Sequence, residues 1–218
     1  MVLVLGIDEA GRGPIIGSLF IAGALFEEKD ISKLKELGVK DSKLLSHKKR
    51  ILLAKEIKKI AKKYKIIQVK PEEIDKAVNH DHGLNLNWLE AHKTVQLINE
   101  LKPDKAIIDC PSPNIKKYKE FLYNLINNKK VELIVEHKAD LHHLPCSAAS
   151  ILAKCVREEE VEKLKKKNGE IGPGYTSNPI TQKFVKENFD KYPEIFRKSW
   201  MTWKNHYQAK KQRKLDEF

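Results

Sequence analysis

Short apolar runs alternate along the chain with longer segments in which apolar residues recur at helical spacing. The run at 2–5 holds only aliphatic residues and is typical of a strand buried on both faces. A second apolar run, at 17–26, is expected to pair with the first as a hairpin. Further runs predict strands at 65–70, 105–109 and 131–137. We expect these strands to form one sheet.

The segments between the strands predict helices. The spacing favours helices at 46–64 and 84–101, one that opens at Ser112, and one from about Pro145 to Lys167, with short helices at 31–37 and after Pro71. From Gly172 onward no strand is predicted, and loosely spaced aromatic residues indicate a small helical region. We therefore expect an α/β fold whose first domain is 1–170, with a C-terminal helical extension at 171–218 packed on the sheet.

Carboxylates follow three of the predicted strands. Asp8 and Glu9 come directly after the first strand, Asp109 ends the strand at 105–109, and Asp140 comes shortly after the strand at 131–137. Because active sites of α/β sheets gather where strand ends meet loops, these four side chains are expected to share one site. A single carboxylate of this kind is more often a helix cap or a surface residue, so the inference depends on the whole set.

The adjacency of Asp8 and Glu9 imposes a geometric condition. Adjacent residues of a regular strand point to opposite faces, so both cannot address one site from it. We therefore expect the strand to end or twist at these residues, with Gly6 and Gly11 permitting the distortion.

Carboxylates held together repel one another unless cations neutralise them. Mg²⁺ prefers oxygen ligands and is usually held by one or two carboxylates together with substrate phosphates. Two such ions about 4 Å apart can activate a water and stabilise the leaving oxygen of a phosphodiester. The four carboxylates therefore predict a site for hard divalent ions.

The net charge of +12 and the isoelectric point near 9.4 point to a polyanionic partner such as nucleic acid. Lysine-rich surfaces also occur in proteins of thermophiles, so charge alone does not decide the partner. No apolar stretch reaches the roughly 18 residues of a membrane span, and no signal-peptide pattern opens the chain. We expect a cytoplasmic protein without a membrane partner.

The cysteines and histidines do not form a recognisable metal or disulfide pattern. The three cysteines make neither an even disulfide set nor a close pair of zinc ligands, so we expect them reduced and mostly buried. Two close histidine pairs, His80 with His82 and His142 with His143, lack partners at the spacing of a zinc motif. We interpret all four histidines as structural.

Several motifs follow one another in a characteristic order: Gly-Ile-Asp-Glu-Ala-Gly-Arg-Gly-Pro at 6–14, Asp-Ser-Lys at 41–43, Asp109, Asp140, Ser-Ala-Ala-Ser-Ile-Leu-Ala-Lys at 147–154 and Gly-Tyr at 174–175. Together they resemble type 2 ribonuclease H, ribonuclease HII, over roughly residues 3–181, and most of all its archaeal single-chain form.

The resemblance implies a ribonuclease H-like mixed β-sheet flanked by helices. It implies an endonuclease that cuts the RNA strand of RNA/DNA hybrids and incises ribonucleotide-containing duplex DNA at single ribonucleotides, leaving 3′-hydroxyl and 5′-phosphate ends. By the same resemblance Asp8, Glu9, Asp109 and Asp140 are the catalytic metal ligands, with Mg²⁺ or Mn²⁺ as the expected cofactor.

The resemblance also implies substrate-binding residues. Gly11, Arg12 and Gly13 would read the ribose 2′-hydroxyl, with help from Tyr175 at the junction between ribonucleotide and deoxyribonucleotide. A 2′-hydroxyl both donates and accepts hydrogen bonds, so backbone groups of a glycine turn can address it at close range. Tyr175 could instead be a core aromatic residue.

Further substrate contacts are expected from Ser42, Lys43 and Lys154, the two lysines on phosphates, with a solvated surface lysine as the alternative. Lys154 follows a run of small residues that permits close approach of a neighbouring element. Arg12 is expected to orient the substrate backbone or a phosphate.

The last seven residues resemble a sliding-clamp-binding peptide, with Gln212, Leu215 and Phe218 in its core positions and without the usual second aromatic residue. An apolar pair at helical spacing suits a hydrophobic pocket on a clamp. The alternative is a frayed, charged C-terminus.

Two other functions remain open from the sequence. One is a non-catalytic basic protein that binds hybrids or a clamp, and metal-dependent cleavage would exclude it. The other is a different nuclease or integrase on the same fold, which shares the carboxylates but gives no reason for the glycine-arginine-glycine turn.

Overall fold

A computed structural model of the chain describes residues 1–39, 45–79 and 85–216, with side chains through residue 212. Ser42, Lys43, His80, His82 and Phe218 lie outside the described residues, as do residues 41 and 217.

Five strands form one mixed sheet in the order β3-β2-β1-β4-β5. The strands are β1 Leu3–Ala10, β2 Leu19–Glu27, β3 Lys63–Val69, β4 Lys105–Asp109 and β5 Glu132–Glu136. Strand β1 pairs antiparallel with β2, as the predicted hairpin requires, and parallel with β4, which in turn pairs parallel with β5. The parallel pairs bring the C-terminal ends of β1, β4 and β5 to one edge of the sheet.

Helices occupy the predicted intervals. They are α1 Ile31–Glu36, α2 His47–Ile60, α3 Pro71–Val78, α4 Leu86–Leu101, α5 Ile115–Leu125, α6 Ala139–His142, α7 Leu144–Asn168, α8 Pro179–Asn188 and α9 Met201–Asp216. Ser46 caps α2, because its side chain accepts a hydrogen bond from the amide of Lys49. Pro71 opens α3, where its missing N–H costs nothing.

Two predicted boundaries are wrong. Helix α2 ends at Ile60 rather than at residue 64, because Ala61 is extended and the amide of Lys62 donates to the carbonyl of Leu25. The chain therefore leaves the helix and begins to hydrogen-bond to the sheet before the amphipathic pattern ends. Strand β1 continues through Ala10 rather than stopping at residue 5, because its pairing with β2 continues without interruption to Phe20.

The chain divides into two compact units. The first comprises Met1–Ala10, Phe20–Gln68 and Asn87–Val156, and the second comprises Gly11–Leu19, Val69–Leu86 and Arg157–Phe218. Helix α7 contributes residues to both. The predicted division at residue 170 stays a prediction.

In the first unit, helix α7 packs directly on strand β1 at Gly6. A Cβ atom at Gly6 would lie 2.0 Å from the carbonyl carbon of Pro145, a distance at which atoms overlap. The interpretation of Gly6 as a source of strand distortion is therefore wrong: glycine is needed here because a helix backbone lies against the strand. The buried small residues Ala148, Ala149 and Ala153 of α7 allow the same close packing.

The second unit has its own apolar core. The aromatic residues of the C-terminal region supply much of it, with Phe184, Phe189 and Phe196 packed against Ile15 and Ile16. Among the residues described, no helix combines the length and apolar character that crossing a membrane requires.

Candidate active site

Three of the predicted carboxylates form one cluster. Asp8, Asp109 and Asp140 each place a carboxylate oxygen within 4.8 Å of the others. Asp8 lies near the end of β1, Asp109 is the last residue of β4, and Asp140 is in α6, directly after β5. Since Ile7 pairs in register with Ile108, Asp8 and Asp109 are neighbours on adjacent parallel strands. The sheet edge therefore gathers these side chains as the strand-end pattern predicted.

Hydrogen bonds from the first unit orient the cluster. The backbone amide of Glu9 donates to Oδ1 of Asp8 over 2.7 Å, and the side chain of Ser150 in α7 also hydrogen-bonds Asp8. The amide of Ala139 donates to Oδ1 of Asp109 over 3.3 Å. Helix α7 can supply Ser150 to Asp8 because of its close approach to β1 at Gly6.

Two of the three aspartates are buried and Asp109 is half-buried, and this burial raises the proton affinity of the cluster. Asp8 is 5% exposed and Asp140 2% exposed. Burial, aided by the negative charges of Asp109 and Asp140, raises the pKa of Asp8 from its ordinary value of 3.8 to about 7, although the hydrogen bond from Ser150 acts in the opposite direction. Near neutral pH the cluster therefore shares protons unless a cation replaces them.

The cluster fits a hard divalent cation. Its three carboxylates offer oxygen ligands with excess negative charge, and the group contains no histidine or cysteine that would favour a softer ion. Cys110, Cys146 and Cys155 are buried and form no disulfide bond in the described part of the chain, in agreement with the prediction. The imidazole of His143 instead pairs with Glu136 at 2.7 Å, which agrees with a structural role.

Glu9 lies at the next position of β1 and, in the part of the chain that the structure describes, stands outside the three-carboxylate group. The expectation that β1 ends or twists at Asp8 and Glu9 is wrong as regards an end, because Asp8 pairs with Ala22 and Glu9 with Ile21 in an unbroken ladder. A regular strand sends neighbouring side chains to opposite faces. The assignment of Glu9 as a fourth ligand stays a prediction.

Residues 11–13, here called the glycine turn, belong to the second unit. Gly11 is buried at φ +83°, and a Cβ atom there would lie 2.8 Å from both Cδ of Arg157 and the carbonyl oxygen of Ser18. Only glycine adopts this positive φ without strain and also lacks the Cβ atom that would clash here. Arg12 is half-buried and Gly13 is exposed.

Tyr175 lies beside the glycine turn. A Cβ atom at Gly13 would lie 3.7 Å from the Tyr175 ring, in ordinary van der Waals contact. Tyr175 is 46% exposed, so it is not a core aromatic residue. The structure thus brings two predicted substrate-binding elements together within one unit.

The remaining predicted residues are placed as follows. Lys154 is half-buried on α7. Gln212 is exposed on α9, which also includes Leu215 in its final turn. Their predicted roles stay predictions.

Two buried arginines behind the glycine turn were not predicted from the sequence. Arg157 is 6% exposed and donates to the carbonyl oxygens of Ile16 and Pro173. Arg197 is fully buried and donates to carbonyl oxygens of the turn itself. The one signal in the sequence is that Arg197 directly follows the apolar pair Ile195 and Phe196 and precedes Trp200.

The raised pKa of Asp8 predicts how stability depends on pH. Because the folded chain holds this proton more tightly than the unfolded chain, the associated stability is complete below about pH 4 and is lost as pH rises through about 7. In EDTA, the free energy of unfolding should fall between about pH 5 and pH 7, with a contribution from Asp8 of at most about 1.4 kcal/mol per pH unit, and this contribution should level off above the folded-state pKa of about 7. Asp8→Asn, which stays uncharged, should show a flatter pH dependence in denaturant titrations.

Glu72→Gln is the matched control, since the Glu72 carboxylate is exposed on α3. It should retain the pH slope of the parent protein. Parallel pH curves for the parent and Asp8→Asn would contradict the proposed electrostatics.

Comparison with known proteins gives consistent results. The chain matches the family described as Ribonuclease HII over residues 5–203. Ribonuclease HII of Pyrococcus furiosus is 42% identical over 222 residues, which cover 98% of this chain and 96% of that protein.

Solved structures share the fold. The crystal structure of ribonuclease H2 from Pyrococcus horikoshii superposes with a TM-score of 0.87 at 38% identity, covering 95% of this chain and 98% of that one. The RNase HII in a PCNA:RNase HII complex from Archaeoglobus fulgidus gives a TM-score of 0.80 at 37% identity, covering 93% and 94%.

The predicted ribonuclease H-like fold is thus confirmed. The family match, the relatives at high coverage and the cluster of aspartates agree on one conclusion. The chain belongs to the ribonuclease HII family and is a ribonuclease H nuclease.

Proposed function

We propose that this chain is an endoribonuclease that cuts the RNA strand of RNA/DNA hybrids and incises duplex DNA on the 5′ side of single embedded ribonucleotides. The products would carry 3′-hydroxyl and 5′-phosphate ends. The observation that carries the proposal is the largely buried cluster of Asp8, Asp109 and Asp140, in which Asp8 is followed closely in sequence by the glycine turn.

The carboxylates would bind two divalent ions, Mg²⁺ or Mn²⁺, with Glu9 as the fourth ligand. Such ions, when bound, supply charge stabilisation and an activated water for phosphodiester hydrolysis. The protein's contribution is to hold the carboxylates in a largely buried site, where Ser150 and the amide of Glu9 fix the orientation of Asp8. Asp8 must release its proton for the cluster to accept the ions.

The glycine turn and Tyr175 would recognise the ribonucleotide. The exposed Gly13 has no side chain, so a sugar can approach its backbone closely. The half-exposed ring of Tyr175 offers a stacking surface beside it. The 2′-hydroxyl is the group that separates RNA from DNA, so recognition by this turn would give selectivity for ribose.

Charge would bring the duplex to the site. The net charge of +12 favours a polyanion, and Arg12, Ser42, Lys43 and Lys154 are proposed to contact its backbone. Asp8 and Gly11 are three positions apart in the chain.

Removal of one cluster carboxylate should slow cleavage strongly while preserving the fold. Asp109→Asn and Asp140→Asn are each expected to lower the incision rate at least about 100-fold with Mg²⁺ or Mn²⁺, because the site loses a charged ligand. The substrate is a duplex with one ribonucleotide, and a second measurement uses an all-DNA duplex of the same sequence.

Cleavage by either variant at the parent rate would overturn the catalytic assignment and favour a non-catalytic binding protein. Equal cleavage of the all-DNA duplex by the parent would favour another nuclease on this fold. Glu72→Gln serves as the matched control for loss of one exposed carboxylate and should cut normally.

The Gly13→Ala variant tests recognition of the ribose while leaving the fold undisturbed. Gly13 is not among the glycines with positive φ, and the added methyl group would meet only the Tyr175 ring at 3.7 Å. We therefore expect the melting temperature to stay within about 2 °C of the parent. The kcat/KM for a duplex with one ribonucleotide should fall about tenfold or more, because the methyl group occupies space proposed for the sugar. Unchanged kcat/KM would contradict close approach of the ribose to this residue.

We further propose that residues 171–218 form a helical region whose end binds a replication sliding clamp through Gln212, Leu215 and Phe218. Support comes from the peptide-like order of these residues and from the solved PCNA:RNase HII complex of the relative from Archaeoglobus fulgidus. Leu215 and Phe218 would insert into a hydrophobic pocket of the clamp.

Deletion of residues 212–218 should abolish capture by an immobilised clamp and leave turnover of a short ribonucleotide-containing duplex unchanged. Phe218→Ala should weaken capture about as much, whereas Glu217→Ala should not, because only the aromatic residue is an anchor. Undiminished clamp binding by the deletion variant would exclude this role for the tail.

A further inference from the structure

Two of the three carbonyl oxygens of the glycine turn accept hydrogen bonds from one buried arginine. The Arg197 guanidinium donates through Nη2 to the carbonyl of Gly11 and through Nη1 to that of Arg12, the second over 2.6 Å. Its Nε donates to the carbonyl of Gly17 over 3.0 Å. A planar guanidinium can serve three separate acceptors in this way, whereas a lysine ammonium lacks that fixed fork.

The third carbonyl oxygen of the turn, that of Gly13, accepts a hydrogen bond from Trp200, which follows Arg197 by three residues. The indole Nε1 of Trp200 donates to the carbonyl oxygen of Gly13 over 3.1 Å. The centroid of the Trp200 ring also lies 5.0 Å from Cζ of the Arg197 guanidinium, which is a cation–π distance. Arg197 and Trp200 together therefore bind all three carbonyl oxygens of residues 11–13.

Residues 197–200, which carry these donors, are themselves held in place by hydrogen bonds within the second unit. The Asp75 carboxylate of α3 accepts hydrogen bonds from the amides of Lys198 and Ser199, each over 2.9 Å, and from the Ser199 hydroxyl. On its other side, the Arg197 amide donates to the carbonyl of Ile15 over 2.9 Å. The donors that hold the turn thus have little freedom to move.

Binding of the carbonyls determines where the amides point. The described chain contains no cis peptide bond, and in a planar trans peptide the C=O and the following N–H point in opposite directions. With the carbonyls of Gly11 and Arg12 directed at Arg197, the N–H groups of Arg12 and Gly13 are directed away from it. Two consecutive donors are therefore presented on the opposite side of the turn.

The buried guanidinium remains a strong donor. Burial, together with the nearby charge of Arg157, lowers the pKa of Arg197 to about 9, so it still carries its charge at neutral pH. A charged donor to a neutral carbonyl makes a stronger hydrogen bond than a neutral donor does.

We propose that Arg197 and Trp200 are positioning residues for ribose recognition: they bind the carbonyl oxygens of the glycine turn and thereby aim its amides at the sugar. This inference rests on the proposed function, because it assumes that the turn reads the 2′-hydroxyl. It assigns to residues far along the chain a role in specificity that requires no contact with substrate.

Trp200→Phe tests the role with a closely matched control. It removes one indole N–H from the turn and keeps an aromatic ring over Arg197. Trp203→Phe removes an equivalent hydrogen bond, from Nε1 of Trp203 to the carbonyl of Phe189 over 3.1 Å, at a place away from the turn. Both variants lose one hydrogen bond of similar geometry, so a purely structural effect should be similar in both.

We expect Trp200→Phe to lower kcat/KM for a duplex with one ribonucleotide about tenfold, and Trp203→Phe to change it less than twofold. The sharper readout is a ratio of two dissociation constants: that for an all-DNA duplex divided by that for the same duplex with one ribonucleotide. Both constants are measured by fluorescence anisotropy in an Asp109→Asn background, in which cleavage is slowed. Trp200→Phe should reduce this ratio severalfold, and Trp203→Phe should leave it unchanged. Thermal melts of both variants show the stability change.

Arg197→Lys provides the second variant. It keeps the positive charge but not the planar fork, so it should reduce the same ratio at least as much as Trp200→Phe does. If it fails to fold, the tryptophan pair still decides the question.

The outcomes separate the two claims. Equal ratios for the parent and Trp200→Phe, or equal losses in the two tryptophan variants, would overturn the positioning role alone. Failure of the parent to incise the ribonucleotide-containing duplex would overturn the proposed function and this inference with it.

Discussion

Like charges confined in a buried site are the constraint on which the rest of this structure depends. The carboxylate oxygens of Asp8, Asp109 and Asp140 lie within 4.8 Å of one another, with Asp8 and Asp140 almost fully buried. Such a group resists full ionisation without cations, and at and below neutral pH the metal-free protein retains a proton on Asp8, whose pKa is raised to about 7. Metal affinity and proton release are therefore linked, and affinity should increase with pH through the titration of Asp8.

The fold imposes this arrangement by two means. Parallel pairing of β1 with β4 and of β4 with β5 brings the strand ends that carry or precede the aspartates to one edge of the sheet. The direct contact of helix α7 with Gly6 then brings Ser150 to Asp8. Burial against this helix raises the proton affinity of Asp8, while the serine hydroxyl partly offsets the effect. The same packing therefore creates the site and adjusts its charge.

In the second unit, the groups that are held in place are backbone groups of the glycine turn rather than side chains. Gly11 is required by its positive φ and by the atoms around it, and the carbonyl oxygens of residues 11–13 are bound by Arg197 and Trp200. Preorganised backbone donors need little reordering when a ligand arrives. Under the proposed function, Arg197 and Trp200 would contribute to ribose selectivity without touching the sugar.

Much of this could be predicted from the sequence, for identifiable reasons. Uninterrupted aliphatic runs predicted the central strands, and charges directly after such runs predicted the aspartate cluster, because a charge beside a buried strand needs a structural or chemical reason. The course of β1 through Asp8 and Glu9 was not predictable, since it depends on continued pairing with β2. The true role of Gly6 depends on Pro145, a partner far away in the chain.

Arg197 was the least predictable of the residues behind the turn. Its partners are backbone carbonyls, and backbone groups carry no sequence signature. Only its position beside apolar residues marks it as buried.

Mapping of the incision site on a duplex with one embedded ribonucleotide tests the central claim most directly, because it requires the carboxylates and the glycine turn to act together. With Mg²⁺ or Mn²⁺, our account predicts a single cut on the 5′ side of the ribonucleotide, leaving a 3′-hydroxyl end on the upstream strand. Cutting elsewhere in the duplex, or cutting that ignores the position of the ribonucleotide, would contradict it.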